Sequence, residues 1–336
     1  MNKTKNMKEW VNSIINKKNK KVIPVLTFPG ADLFGYTVRE MLTDSDKQAR
    51  VIKAIAERTD AEAVFGFMDL SVEAECFGAE IRVTEDEVPT VIGRIIGNID
   101  DVYKLKLPEL NDRAKTYVET IGKAIKMIDN IPVFGNVIGP FSLAGRLMDI
   151  TEIIINCFDY PEQVEHLLDI ASDFIIRYCL EFRKAGANGV ILAEPLAGML
   201  SPDMAGEFSA PYVKKIIEAT QNDNFIIIYH NCGNNTVEMT GSILSTGALV
   251  YHLGNAINML KMLKRMPSDK IIMGNIDPVG VLKNGTPETV TIETKTLLCE
   301  CGSYKNFVIS SGCDIPPKTP WDNIDAFIKT ATDYYK

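Results

Sequence analysis

His230 and Cys232 stand one residue apart in the stretch FIIIYHNCGNNT, directly after five apolar or aromatic residues, Phe225 to Tyr229. An imidazole and a thiolate at the tip of a buried strand are both metal-ligand types. Cys313, in SSGCDIPPKTP after the apolar run 307–309, adds a second thiolate. One nitrogen and two sulfur donors favour zinc among the common divalent metals. Structural zinc sites are usually closed by four protein ligands from tight Cys-x-x-Cys loops; one close pair plus one distant cysteine predicts an open fourth position, as in catalytic sites. Alone, the His-x-Cys pair is a weak signal, because such residues at strand ends are more often packed or hydrogen-bonded. The Gly-Cys at a second strand end reverses that balance. Gly233 and Gly312, beside two of the ligands, are expected to let the backbone approach the metal closely.

Two residues compete for the fourth position. Glu194, in GVILAEP, is the first candidate for the resting state, and His252, in YHLGN, is the second. The alternative role for His252 is a hydrogen bond to a ligand rather than to the metal. His166 lies inside a helical pattern and is expected on the surface or in packing, while Cys299 and Cys301 fall on opposite helix faces and read as structural. An exchangeable position on a two-thiolate zinc suits an incoming thiol, which the metal would deprotonate into a nucleophile at neutral pH. Hydrolysis by zinc-bound water is the competing use. It lacks its usual His-Glu-x-x-His motif here, and two thiolates make zinc a poorer Lewis acid.

These residues need a frame that gathers strand ends. Apolar runs at 22–26, 63–68, 131–137, 189–194, 225–230, 248–253, 271–276 and 307–311 alternate with longer helical patterns, as βα units do. Among the helices, 45–59 starts on Ser45 as a plausible N-cap, and a long one runs from Pro161 to just before Gly186. Eight such units predict an α/β fold, a single (β/α)8 TIM barrel spanning residues 1–336. The runner-up is a doubly wound sheet, which lacks its G-x-G-x-x-G fingerprint here. Barrel active sites are built at the C-terminal strand ends. Those ends carry Thr27, Asp69, Asn136, Glu194, His230, Cys232, His252, Asn275, Asp277 and Cys313. Asn136, His252, Asn275 and Asp277 are the candidates for contacting a bound cofactor.

Residues 1–21 form a lysine-rich extension read as an amphipathic helix, with Trp10, Val11, Ile14 and Ile15 on one face packed on the barrel. It has no secretory-signal pattern, and no stretch is long and apolar enough to span a bilayer. Seven scattered cysteines then suggest a reducing, cytoplasmic setting with free thiols or metal ligands. A net charge of −8 among 336 residues argues against nucleic-acid binding.

Four stretches, MDLSVEAECFGAEI, YHNCGNNT, GNIDPVGVL followed by GTPETV, and SSGCDIPPKTP, together resemble the uroporphyrinogen decarboxylase superfamily. More closely they resemble its zinc-dependent branch, the methylcobamide:coenzyme M methyltransferases. The resemblance runs from about residue 21 to the final helix. It implies transfer of a methyl group between a methylated corrinoid, carried by a partner corrinoid protein, and a small-molecule acceptor such as a coenzyme M-like thiol or tetrahydrofolate. It also implies that His230, Cys232 and Cys313 hold Zn2+, and that Asp69, matching the superfamily's aspartate, lines the pocket or assists as a base. Alternatives are a decarboxylase-type lyase, a methyl-donor:corrinoid methyltransferase, and a non-enzymatic corrinoid- or metal-binding barrel. The true decarboxylases carry an arginine-rich segment after the first strand; here Thr27-Phe28-Pro29-Gly30 stands there, and the first arginine is Arg39. The resemblance singles out no residue for a sulfonate.

Overall fold

The computed structural model describes residues 5–336. Its strands are β1 (Val64–Phe65), β2 (Glu80–Arg82), β3 (Thr90–Ile92), β4 (Val133–Ile138), β5 (Gly189–Ala193), β6 (Ile226–Asn231), β7 (Val250–Leu253), β8 (Ile271–Ile276) and β9 (Phe307–Ser311). Seven of them form one parallel sheet in the order β1-β4-β5-β6-β7-β8-β9, with helices between successive strands, as expected of a barrel.

The expected strand at 22–26 forms no ladder. Its segment instead closes the ring between β9 and β1. Ile23 N donates to Ile309 O (3.2 Å), Glu62 N to Val22 O (3.1 Å) and Ile315 N to Val25 O (2.9 Å), while Val25 N turns to the Ser311 hydroxyl (3.2 Å). The cause is Pro24, which has no N–H to give and interrupts regular pairing. Eight staves therefore surround the axis, seven of them as strands. The run at 63–68 keeps only Val64–Phe65 as strand, and an antiparallel hairpin, β2–β3, lies between β1 and the helix Asp112–Met127. Sequence periodicity does not predict that hairpin.

Alternation along the strands divides the apolar residues into two cores. Ile23, Val25, Phe65, Phe134, Ile191, Ile226, Ile228, Val250, Ile271, Met273 and Val308 pack inside the ring. Their neighbours of opposite parity, such as Ile227, Tyr229, Tyr251 and Ile272, pack against the helices.

The N-terminal helix, Met7–Asn16, adds Met7, Val11, Ile14 and Ile15 to the inner core. It plugs the end of the ring where the strands begin. Met7 N donates to Asp223 O, just before β6 (2.6 Å), and Trp10 lies 5.9 Å from Phe134. Burying four such side chains stabilises the floor by roughly 6–12 kcal/mol before entropy is counted. Residues 1–4 of the expected 1–21 helix lie outside the described residues. Ser45 opens its helix as expected, but Asp44 is the cap, accepting from Asp46 N and Lys47 N. No helix among the described residues is long and apolar enough to cross a membrane.

Candidate metal centre

Parity places the imidazole. Ile226 and Ile228 face the interior, so His230 faces it too, one layer above. Cys232 lies two residues further on, where the chain leaves β6. Asn231 holds this turn: its side-chain Oδ1 accepts from Gly233 N (2.9 Å) and the Thr236 hydroxyl (3.0 Å), and its Nδ2 donates to Tyr229 Oη (3.1 Å). Cys313 arrives from the end of β9, where Gly312 N donates to Ile276 O (2.6 Å). The donor atoms of His230, Cys232 and Cys313 all lie within 4.8 Å of one another. Cys313 Sγ is 3.5 Å from His230 Nε2. A tetrahedral zinc with Zn–N of about 2.05 Å and Zn–S of about 2.3 Å would set such a pair about 3.5 Å apart. The donor set and its spacing fit zinc.

His252 fixes which nitrogen of His230 is free. His252 is the register partner of His230 on β7 and is fully buried. Its Nε2 lies 2.7 Å from Ser311 O and 3.1 Å from Ser310 Oγ. A carbonyl oxygen only accepts, so His252 Nε2 carries the proton. Burial and the neighbouring His230 hold the His252 pKa well below the usual range, so the ring is neutral and its Nδ1 is an acceptor. His230 Nδ1, 2.8 Å away and 3.2 Å from His252 O, must donate. The lone pair of His230 is therefore on Nε2, facing Cys313. Of the two expected roles for His252, the structure has the hydrogen bond to a ligand and not direct coordination. The pair of thiols loses one proton easily, from Cys232, and holds the other, on Cys313, between the two sulfurs. The Cys232 pKa is depressed, because its thiolate accepts from Cys313 and faces His230, and the Cys313 pKa is pushed up by the same pairing and by burial.

Glu194 does not join the cluster. Its register neighbour Ala193 partners His230, so Glu194, of opposite parity, faces the helix layer. There it sits on the N-terminus of the helix Pro140–Met148, accepting from Phe141 N (3.0 Å), Ser142 N (2.7 Å) and Ser142 Oγ (2.5 Å). Burial pushes its pKa up to about 7, against those donors. A Cβ on Gly139 would come within 2.5 Å of this carboxylate, so only glycine fits there.

Asp69 is buried and fully engaged. Oδ2 accepts from Arg113 Nη1 (2.7 Å) and Tyr117 Oη (2.9 Å), and Oδ1 from Ser71 N (3.1 Å) and Ser71 Oγ (2.6 Å). Arg113 also binds Glu75 (2.7 Å). This ties the loop after β1 to the helix Asp112–Met127 and leaves little lone-pair capacity for base catalysis. Asn136 is buried, donates to Gly66 O, and its Oδ1 has no partner among the described residues. Asn275 donates to Gly254 O (2.9 Å) and Ile257 O (3.0 Å). Asp277 Oδ1 accepts from Val279 N and Gly280 N, both 2.9 Å. Both residues shape loops beside a cavity of about 420 Å3 that none of the three cluster residues lines. The room at Gly233 and Gly312 is also taken by protein: a Cβ on Gly233 would meet Gly198 Cα at 2.3 Å, and one on Gly312 would meet Asn255 N at 2.7 Å. These glycines bring loops together rather than backbone to metal. His166 packs near Tyr103 (4.9 Å); Cys301 is buried and Cys299 exposed, as opposite faces require.

Sequence reasoning missed Asn231, Ser310, Ser311, Arg113 and Tyr117. Asn231 ends β6 between two cluster residues, and Ser310 and Ser311 meet His252. The other two lie on the helix Asp112–Met127, where spacing gave no sign of them.

Residues 18–334 match the family described as Uroporphyrinogen decarboxylase (URO-D). The chain is 32% identical over 304 residues to the "Methylcobamide:CoM methyltransferase MtbA" of Methanosarcina acetivorans, covering 88% of this chain and 86% of that protein. To a "Uroporphyrinogen decarboxylase" of Hydrogenovibrio crunogenus it is 25% identical over 289 residues, covering 82% and 80%. A solved "methyltransferase from Methanosarcina mazei" shares the fold with a TM-score of 0.84, at 23% identity, covering 98% of this chain and 99% of that one.

Proposed function

The chain belongs to the uroporphyrinogen decarboxylase (URO-D) family, and on that premise we propose that it is a zinc-dependent methyltransferase acting between a corrinoid protein and a small thiol. The observation that carries this reading is the cluster of one imidazole and two thiols with donor atoms within 4.8 Å. Its support from kinship is the 32% identity to a methylcobamide:CoM methyltransferase.

In this reading His230 Nε2, Cys232 Sγ and Cys313 Sγ hold the zinc. When bound, zinc supplies the positive charge that makes an incoming thiol give up its proton near neutral pH. The chain's own residues do the rest. His252 keeps the His230 lone pair on Nε2, and Asn231 fixes the turn that aims Cys232. The Asp69–Arg113–Tyr117 anchor holds the loop after β1 beside the mouth of the barrel. The acceptor sulfur attacks the methyl carbon of the corrinoid. The S–C bond forms, the Co–C bond breaks, and its electron pair stays on cobalt as Co(I).

The decarboxylase reading is disfavoured by charge. Uroporphyrinogen carries many carboxylates that need cationic partners in a partly dry pocket. The first arginine, Arg39, is exposed and paired with Glu85 (2.6 Å). Tetrahydrofolate as acceptor would use nitrogen rather than sulfur as nucleophile and leave the metal with less to do, whereas in the opposite half-reaction the metal would activate a methyl donor that methylates Co(I). The experiment mixes zinc-loaded protein with methylcobalamin and coenzyme M, homocysteine or tetrahydrofolate, and follows loss of the methylcobalamin absorbance. Thiol-dependent demethylation that Cys313→Ala abolishes is expected; equal rates in wild type and variant would remove the cluster from the chemistry.

A further inference from the structure

We propose that the exposed apolar face of the helix Ile150–Asp159 is the docking surface for the protein that carries the corrinoid. This inference rests on the corrinoid methyltransferase reading above and adds the place where the partner sits.

The helix Ile150–Asp159, ITEIIINCFD, is apolar on two sides. Ile153, Asn156 and Cys157 are buried, where the helix packs on its neighbours Pro140–Met148 and Pro161–Lys184. Ile150, Ile154, Ile155 and Phe158 fall at helical spacing on a second face. Phe158 is 71% exposed, Ile155 48% and Ile150 43%, and Ile154 is half-buried. A helix that is apolar all round belongs inside a protein, not on its surface. The patch is on the order of 300–400 Å2, in the range where exposed apolar surface is often functional.

Its place follows from the path of the chain. Residues 139–160 lie between the end of β4 and the helix Pro161–Lys184, which returns the chain to the start of β5. They therefore stay on the side of the ring where the strands end, the side of His230, Cys232 and Cys313. Close packing carries this rim to the cluster. A Cβ on Gly145 would come within 2.3 Å of Leu196 Cδ2 and 3.6 Å of Ile153 Cγ2, and one on Gly198 within 2.5 Å of Gly233 Cα, next to Cys232. Met199, beside Gly198, is 60% exposed and puts a further apolar side chain at the cluster end of these contacts.

Three properties fit a corrinoid carrier. To bring cobalt to the cluster, the carrier has to sit over this end of the ring, so its protein surface meets the rim. It has to leave after each transfer so that Co(I) can be methylated again, and the patch is well below the roughly 800 Å2 per partner of a standard stable interface. The exposed carboxylates of Asp149, Glu152, Asp159 and Glu162 border it. Among the described residues only Glu152 of these has an ion-pair partner, Arg94 (3.5 Å). Such a border calls for a partner with basic residues around an apolar centre. It also argues against a second copy of this chain, because a two-fold pairing would set carboxylates against carboxylates.

The test follows methyl transfer to a thiol from two donors: free methylcobalamin, and a purified methylated corrinoid protein, the one that wild type demethylates fastest. The readout is the ratio of kcat/KM for the two donors, which cancels damage to the metal site. Wild type is expected to favour the protein-borne methyl group. Phe158→Glu should cut the ratio ten-fold or more, through the KM of the protein donor, the scale of an aromatic anchor at an interface. Phe158→Leu should keep most of it. Phe158 is exposed, so neither change opens the core. A wild-type preference for the free donor, or a ratio that survives Phe158→Glu, would overturn the docking surface and leave the methyltransferase reading intact. Sedimentation of both forms adds a second check: a wild-type dimer that Phe158→Glu splits would assign the face to a second copy and overturn the proposal. If neither donor is demethylated, the methyltransferase reading falls and the surface with it.

Discussion

The neutral His252 ring makes a quantitative claim about zinc. His230 Nδ1–H donates to His252 at 2.8 Å, and both rings are buried. Removing the acceptor strands that N–H, or frees the proton to move to Nε2, where it would block the metal. Leaving a buried donor unmet costs about 1–3 kcal/mol, and losing the partner of a metal-bound His typically weakens metal binding by about 10–100-fold. His252→Leu keeps the volume roughly but offers neither the acceptor to His230 nor the donor to Ser311. It should therefore weaken zinc binding by about 10–100-fold in competition with a chromophoric chelator. His252→Asn, which can present its amide oxygen to His230, should recover part of the loss. Nitrogen-15 NMR of the metal-free protein gives a second readout: wild-type His230 should show Nδ1 protonated and Nε2 bare, and His252→Leu should show a mixture. Cobalt substitution separates this from direct ligation. The visible spectrum of the Co(II) form should keep its two-thiolate, one-imidazole character in His252→Leu. Wild-type zinc affinity in that variant would refute the relay, and a changed coordination spectrum would make His252 a ligand after all.

Glu194→Ala should leave about one zinc per chain but destabilise the fold by about 1–3 kcal/mol in urea unfolding, because it orphans the donors at the start of the helix 140–148; loss of zinc with unchanged stability would restore Glu194 as a ligand. Burial raises both Glu73 and Glu194 from 4.5 to about 7, so the folded chain holds protons that the unfolded chain releases. Their contribution is present below pH 4.5 and is lost as pH rises through 7, with a ceiling of ~3 kcal/mol for each carboxyl. The depressed pKa values of Cys232 and His252 act in the opposite sense, so the carboxyl's share is read as a difference. In urea unfolding in chelator, Glu73→Gln should lose less stability, or gain more, than wild type between pH 5 and pH 7.5, and an unchanged pH dependence in the variant would contradict the assignment. Ile14→Ala, in the helix that floors the ring, should cost about 2–4 kcal/mol, whereas a change below 0.5 kcal/mol would mean that the floor is not packed as described.

The parts of this molecule that could be read from the sequence are those governed by local rules. Seven of the eight expected staves are strands because apolar runs of four to eight residues between helical patterns have few other uses in a protein of this size. The eighth carried its own warning in Pro24. The clustering of His230, Cys232 and Cys313 was legible because imidazole and thiol are rare and fell at strand ends. The readings that failed depend on tertiary partners. Glu194 looked like a ligand because it ends a strand, yet its carboxylate is drawn to unpaired helix N–H groups that belong to residues 141 and 142. Asn275 and Asp277 sit at the mouth as expected but are occupied in shaping loops. Arg113 and Tyr117 lie on a helix whose docking angle no spacing rule supplies. Gly233 and Gly312 were correctly marked as close approaches, with the wrong neighbour.

Strand parity explains why the centre lies where it does. In a parallel ladder, register partners project to the same side. Ala193, His230, His252 and Met273 are successive partners across β5, β6, β7 and β8, so they form one inward layer. Within that layer a methyl group gives His230 room on one side, and a second imidazole meets it on the other. His252 could not avoid His230, and a neutral hydrogen-bonded pair is the low-cost way to bury two such rings together. Cys232, two residues beyond His230, inherits the inward parity, while Glu194, one beyond Ala193, is denied it. Cys313 alone breaks the pattern: Ser310 has the inward parity on β9, so a continued strand would turn residue 313 outward. The strand ends at Ser311, and Gly312 binds across to Ile276 O, which releases the next residue from the alternation. Two donors are thus set by the ladder and one by the turn that ends it.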